Sequence, residues 1–394
     1  MAFIPRELAP QLLKAAQQFS AVILTGARQV GKSTLVKELF PKYNYASLDE
    51  IDTRNYAQED PRGFLKSHPC PLIIDEIQEV PELLSYVKKI IDDNRSQTGL
   101  FIITGSQQFS LMEGVQETLA GRAAVLELHS FSIHELSEYK ELKNKDWSWI
   151  VQRGSYPDLW SKKPIDLQLW YSSYIKTFLE RDIKANVQKS YLKHYEQFLN
   201  LIIARCSQEL NYADIAKDLG VDEKTIKSWI AFLERSQVIF LLAPYPKKIA
   251  NKQISKKSKL YFYDTGLVSH RLGYRTEEQI KRSPISGVLF ENLVISELIK
   301  RHKANQEPGF FYYFREKNGL EVDLIYENRS KLQLIEIKQS ETPNIAMAKN
   351  LLKFSDLVNN VAKRYLLSPR SNNSEQNSVN LMNYQSFYGN SELR

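Results

Sequence analysis

Gly26-Ala27-Arg28-Gln29-Val30-Gly31-Lys32-Ser33 is the stretch of this chain with the most specific chemistry. It follows the apolar run Ala21 to Thr25 and precedes Thr34 to Phe40, which reads as a helix. Strand, glycine loop and helix in that order match GxxxxGK(S/T), a phosphate-binding loop. Gly26 and Gly31 open backbone conformations closed to residues with a Cβ, so loop N–H groups can converge on phosphate oxygens. Lys32 brings a point charge to the β- and γ-phosphates, and the Ser33 hydroxyl is a ligand for Mg2+. The helix beginning at the loop adds the positive end of its dipole. Residues Gly26 to Thr34 are therefore expected to hold a nucleotide. No Asn-Lys-x-Asp guanine-reading motif is present, which favours ATP over GTP.

Pro71-Leu72-Ile73-Ile74-Asp75-Glu76 is an apolar run closed by two carboxylates, as expected of a Walker B strand. The C-terminal end of a buried parallel strand is where ligands meet an open α/β sheet. Asp75 is expected to hold Mg2+, and Glu76 to orient and deprotonate the attacking water. The alternative is that both residues simply begin the next helix as favourable N-terminal charge. A further strand, Leu100 to Thr104, ends in Gly105-Ser106, making Ser106 the first candidate to sense the γ-phosphate and Thr104 the second. Arg122, before a strand over Ala124 to Leu128, is a candidate to reach the γ-phosphate of its own or a neighbouring subunit. Arg28 is a weaker candidate for the same task.

A second group of chemistry-bearing residues lies near the C-terminus. Gly287 to Arg301 is expected to be an amphipathic helix with Val288, Ile295 and Leu298 on one face. Glu291 falls on that apolar face, where a carboxylate needs a partner, and a metal would be one. Strands are expected over Phe310 to Phe314, Glu321 to Tyr326 and Leu332 to Lys338, and alternation puts Glu336 and Lys338 on the same side. Glu291, Asp323, Glu336 and Lys338 together resemble the PD-(D/E)xK core of restriction enzymes and archaeal Holliday-junction resolvases. The resemblance implies Mg2+ on Asp323 and Glu336, completed by Glu291, with Lys338 positioning water or stabilising the phosphate.

Between these groups, Tyr212 to Val221 and the helix after Asp222 have the spacing of a helix-turn-helix. Val238 to Leu242 and Leu260 to Tyr263 are expected to be wing strands. The segment between them carries Lys247, Lys248, Lys252, Lys256, Lys257 and Lys259 and no acid, a candidate surface for DNA. The exposed residues of the second helix, Asp222, Glu223, Lys224 and Lys227, suit protein contact nearly as well. Tyr171 to Ile183 reads as a helix ending in a Glu180-Arg181-Asp182 salt-bridge group, and residues 369–394 as a terminal element behind a loose loop.

The chain has 394 residues, enough for two or three cores, with 43% hydrophobic and 25% charged residues and a net charge of +7. Cys70 and Cys206 form no metal or redox motif, as expected in a reducing compartment. No apolar run is long enough to span a membrane, and the N-terminus is no signal peptide, so a cytoplasmic protein is expected.

Thr25 to Ser33, Leu48-Asp49, Ile74 to Gln78, Thr104-Gly105-Ser106 and Gly121-Arg122 resemble the prokaryotic AAA-type ATPases that carry a C-terminal domain of unknown function. That family usually has proline at the position of Ala27 and threonine at that of Ser33. The resemblance implies an α/β fold in three parts. An ASCE-type P-loop domain spans 1–150, with strands in the order fifth, first, fourth, third, second. A helical and winged helix-turn-helix region spans 151–280, and a restriction-endonuclease-like domain spans 281–394. The expected function is Mg-dependent ATP hydrolysis with a tail that cuts or binds DNA. The rival is an ATP-driven switch whose tail binds a partner without cleavage. Homo-oligomerisation is left open by the two readings of Arg122.

Overall fold

The computed structural model describes residues 3–105, 118–137, 142, 145–161, 165–179, 192–247, 249, 253–370 and 372–389. Ser106, Glu180, Arg181, Asp182, Lys248 and Lys252 lie outside the described residues.

The first part runs α1 (Ala9–Gln18), β1 (Ala21–Gly26), α2 (Lys32–Leu39), β2 (Asn44–Ser47), α3 (Ile51–Glu59), α4 (Pro61–Ser67), β3 (Leu72–Asp75), α5 (Leu83–Asp93), β4 (Phe101–Gly105) and β5 (Ala123–Leu128). Its strands pair in parallel in the order β2-β3-β4-β1-β5. This is the order the family resemblance implies. The central strands read as unbroken apolar runs because both faces of the sheet are covered. Val22, Leu24, Ile73 and Ile102 enter one core, and Ala21, Ile23, Ile74 and Ile103 enter the other. Parallel pairing brings the loops after β1, β3 and β4 to one edge.

The middle part runs α6 (Trp147–Arg153), α7 (Leu167–Tyr174), α8 (Leu192–Ala204), α9 (Tyr212–Leu219) and α10 (Glu223–Arg235). The antiparallel hairpin β6 (Ile239–Leu242) and β7 (Lys259–Phe262) follows, then α11 (Thr265–Arg271) and α12 (Glu277–Arg282). Gly220 ends α9 with φ 66°, and the Asp222 side chain caps α10 by accepting from the Thr225 N–H at 2.7 Å. Trp229 of α10 packs on the rings of Tyr195 and Phe198 of α8. The helix expected from Tyr171 starts earlier, at Leu167, and passes into a π turn at Ile175–Leu179.

The last part comprises α13 (Ser286–Asn305), β8 (Phe310–Arg315), β9 (Glu321–Asn328), β10 (Lys331–Ile337), α14 (Lys349–Ser355), β11 (Val361–Ser368), β12 (Ser374–Gln376), β13 (Val379–Asn383) and α15 (Tyr384–Gly389). Its sheet order is β12-β13-β11-β10-β9-β8, with β10, β11 and β13 parallel. Three expectations need correction here. The region read as a loose loop supplies β12 and β13, joined by a tight turn with Asn377 and Ser378 both at positive φ. Helix α13 is not amphipathic. Residues on every side of it are buried, including Asn292, Ser296, Glu297 and Lys300, because it lies between the other parts and its own sheet. The lysine segment is no free wing. Tyr245 N–H donates to Tyr313 O at 2.8 Å and Ser255 N–H to Arg315 O at 2.9 Å, laying it along edge strand β8.

One core therefore runs through all three parts, from Leu12 and Leu24 through Trp229 and Leu260 to Leu293, Ile335 and Phe387. At its seam, His129, just after β5, stacks on Tyr263, just after β7, with ring centroids 4.5 Å apart. Burial, helped by Lys303, pushes the His129 imidazole down to about 4, against the pull of Glu127. A neutral buried histidine contributes stability that is present above the unfolded value near 6.5 and lost as pH falls towards 4. Wild type should thus lose up to about 3 kcal/mol more than His129→Phe between pH 7 and pH 4. Urea titration of both proteins at each pH measures the difference. Parallel pH profiles would show that His129 does not titrate as its burial requires.

Candidate functional site

The edge of the first sheet gathers the loop after β1 and the ends of β3 and β4. Gly31 begins α2 with φ 90°, and a Cβ on Gly26 would lie 2.3 Å from Leu128 O. Both glycines are thus required, one for conformation and one for close approach. Lys32 is 4% exposed and donates to the carbonyls of Gly26 and Ala27 at 3.1 and 3.0 Å. Burial lowers its pKa, while Glu76 and Asp75 pull it back up. The Ser33 hydroxyl donates to Asp75 Oδ1 at 3.0 Å, and the Tyr45 hydroxyl to Asp75 Oδ2 at 2.6 Å. The Thr104 hydroxyl also donates to Asp75, and accepts from the Glu76 N–H at 3.2 Å. Glu76 turns out of β3 with φ 59°, and its carboxylate accepts from Gln78. The Ala27 N–H is taken by Gln237 Oε1 at 3.0 Å, from the turn between α10 and β6.

The second cluster sits where α13, β7, β9 and β10 meet. Lys338 Nζ lies 2.6 Å from Glu336 and 3.5 Å from Asp323, whose Oδ2 also accepts from the Ile337 N–H at 2.8 Å. Glu291 is held separately, by Tyr261 Oη at 2.6 Å and Lys259 Nζ at 3.4 Å. Lys259 reaches Glu321 as well, at 2.6 Å. Burial raises the pKa of Glu291 and Glu336, and Asp323 adds to both shifts. Burial opposes the charge on Lys259, yet Glu291, Asp323 and Glu321 outweigh it and hold the ammonium above the usual lysine range. The four expected residues share one neighbourhood, with a lysine beside each acid. Among the described residues, no three His, Cys, Asp or Glu side chains are gathered as a metal ion would require. The second oxygen of Glu336 is buried without a hydrogen-bond partner among the described residues.

Residues 18–137 match the AAA domain family, residues 144–278 a domain of unknown function (DUF8612), and residues 286–387 another (DUF4143). Residues 18–137 form an AAA-type P-loop domain. Uncharacterized proteins of Mycobacterium tuberculosis and Mycobacterium bovis are each 28% identical over 354 residues, spanning 86% of this chain and 75% of theirs. Among solved structures, a Walker-type ATPase of Pyrococcus abyssi aligns over 68% of this chain and 96% of its own, at 13% identity and TM-score 0.43. DnaA of Aquifex aeolicus bound to AMPPCP aligns over 58% and 86%, at 14% identity and TM-score 0.31. Among the described residues, no helix is long and apolar enough to cross a membrane.

In the AAA domain, Arg122 departs from its expected place. Its carbonyl accepts from the N–H of Ala21, the first residue of β1, whereas the P-loop follows the last. A six-residue strand separates them by roughly 17 Å. Its guanidinium is instead bound to Asp92 at 2.8 and 3.3 Å. An arginine placed before a parallel strand stands on the opposite edge from its own subunit's phosphate site. Thr104, the second candidate, does stand beside Asp75, and Arg28 is close enough to lower the pKa of Lys32.

Tyr45, Gln237, Tyr261 and Glu321 were not singled out in the sequence, and Lys259 was counted as surface. Strand alternation offered a signal only for Lys259 and Tyr261, which share one face of β7. Removing Lys259, itself buried, leaves two half-buried carboxylates without their cation. Lys259→Met should lose about 3–5 kcal/mol of stability. Lys259→Met/Glu291→Gln should recover part of that loss, as a urea midpoint shift at constant m would register. Equal stability of wild type and Lys259→Met would remove these ion pairs from the account.

Proposed function

We propose that this chain hydrolyses ATP with Mg2+ in its AAA domain and that its C-terminal domain acts on DNA as a restriction-endonuclease-like module. The contact of the Ser33 hydroxyl with Asp75 at 3.0 Å carries the first half, since it pairs two hard oxygen ligands beside the P-loop. These donors suit Mg2+, which when bound would neutralise charge on the β- and γ-phosphates. Lys32 moves from the loop carbonyls to the phosphate oxygens. Glu76 orients the attacking water and takes its proton, and Thr104 fixes Asp75 and the Glu76 backbone. Arg122 has no part in its own subunit's site, so contact with a neighbouring copy is its remaining route to a phosphate.

For the second half, α9, α10 and the β6–β7 hairpin act as a winged helix-turn-helix joined to the tail. A cleft of about 1060 Å3 opens between the lysine segment and β8. Among the described residues, Lys247, Lys256, Lys257, Arg315 and Lys317 line it against Glu209 and Glu316, an excess of positive charge suited to a phosphate backbone. Arg315 is 3.7 Å from Glu321, which ties the cleft to the acid cluster. The oxygen of Glu336 that has no hydrogen-bond partner among the described residues supports a divalent cation held by Asp323 and Glu336, with Lys338 beside the scissile phosphate. One observation favours the switch reading. Lys259 engages Glu291 and Glu321 at once, so Glu291 can join a cation only if Lys259 withdraws.

Lys32→Ala and Glu76→Gln should each lower phosphate release by ~100-fold or more. Asp323→Ala should abolish Mg2+- or Mn2+-dependent nicking of plasmid and branched DNA while ATP turnover continues. Turnover without nicking in wild type would select the switch. Unimpaired turnover in Lys32→Ala would overturn the nucleotide assignment itself.

A further inference from the structure

The β6–β7 hairpin touches both sites. Gln237, immediately before β6, is 4% exposed and stands at φ 53°, a conformation that favours glycine. What its side chain adds is the hydrogen bond from the P-loop N–H of Ala27, at 3.0 Å. Its Nε2 is buried and has no hydrogen-bond partner among the described residues. On the opposite strand, Lys259 and Tyr261 hold Glu291. The strands are in register, Phe240 opposite Tyr261 and Leu242 opposite Lys259, and the rings of Phe240 and Tyr261 stack with centroids 5.5 Å apart. Tyr263 anchors the same strand on the AAA domain through His129, and accepts from Lys303 at 3.1 Å. A hairpin of two four-residue strands, buried along β7, is expected to move as a unit, because a close-packed interior shifts between discrete arrangements rather than stretching.

We propose that this hairpin is a strut through which nucleotide binding at the P-loop sets the grip of Lys259 on Glu291, and hence the availability of Glu291 to ligands of the C-terminal site. The inference rests on nucleotide binding by the AAA domain. Gln237 is a positioning residue that acts through Ala27. The P-loop backbone wraps the phosphates, so a nucleotide has differential contact with any two positions of the loop that Gln237 holds. Coupling of this kind is reciprocal, so occupation of the acid cluster changes nucleotide affinity by the same factor.

Hydrogen exchange of the full chain with and without saturating ADP, in EDTA, tests the strut. In wild type, ADP should slow exchange over residues 26–33 and change it about fivefold over 237–242, 259–263 and 289–294. In Gln237→Gly, also at saturating ADP, the change at 26–33 should remain and those at 259–263 and 289–294 should vanish. Glycine suits the left-handed turn, so this variant removes the side chain without straining the fold. Protection at 26–33 with no change at 259–263 in wild type would overturn the strut alone, as would an unaltered response in Gln237→Gly. No ADP effect at 26–33 would overturn nucleotide binding, and the strut with it.

Discussion

Helix α13 leaves no side for water, and the rest of the molecule is arranged around that constraint. Over residues 289–300 the helix is buried or half-buried on every side, so each polar group there must find a partner. Asn292 exchanges hydrogen bonds with the backbone of Phe262, at 2.8 and 3.0 Å. Lys300 donates to Phe131 O at 2.9 Å and pairs with Glu297, which in turn accepts from the Ile133 N–H. Glu291 takes Tyr261 and Lys259. Apart from the Lys300–Glu297 pair, which lies within the helix, each of these bonds crosses to another part of the chain, so the helix ties the AAA domain and the hairpin together.

The same seams explain why charge is buried where a simple core would be apolar. Ion pairs such as Lys259 with Glu291 and Glu321 contribute little net stability compared with well-packed hydrocarbon. Removing a single partner is strongly unfavourable, however, because the other charge stays behind. Such pairs discriminate between relative positions of the parts more sharply than apolar contacts do. A seam built this way tolerates discrete rearrangements and resists sliding. Lys259 lies on β7 and Gln237 immediately before β6, so the two sites share a single mechanical element.

Much of the nucleotide end was legible because its residues are local. Strand, loop, lysine and hydroxyl fall within consecutive residues, and the local sequence dictates φ at Gly31, whereas the close approach at Gly26 is to Leu128, far along the chain. Asp75 and Glu76 were legible because a parallel strand delivers its final residues to the ligand edge. The own-subunit reading of Arg122 fails for the same geometric reason, since the residue precedes its strand and lands on the far edge. Glu336 and Lys338 were paired by strand alternation and Glu291 was placed by helical spacing, but neither period says what lies opposite. The lysine segment read as surface from composition, while its backbone had an unpaired neighbour in β8 and its last lysine had an acid cluster to enter. Helix α13 looked amphipathic because its polar residues are mostly long or charged, and their burial depends on partners distant in sequence.

The sequence by itself determined the P-loop, the carboxylates that follow β3, the grouping of Asp323, Glu336 and Lys338, and the helices and strands that carry them. The P-loop, the carboxylates after β3 and the elements follow from local backbone preference and from the periods of helix and strand, and the grouping of the three C-terminal residues from their resemblance to a PD-(D/E)xK core. Only the tertiary structure decided that Lys259 and Tyr261 belong to the C-terminal cluster, that Gln237 reaches the P-loop, and that Arg122 faces away from it. Such contacts join residues far apart in sequence, and are set by which buried polar groups find one another when the parts close around α13.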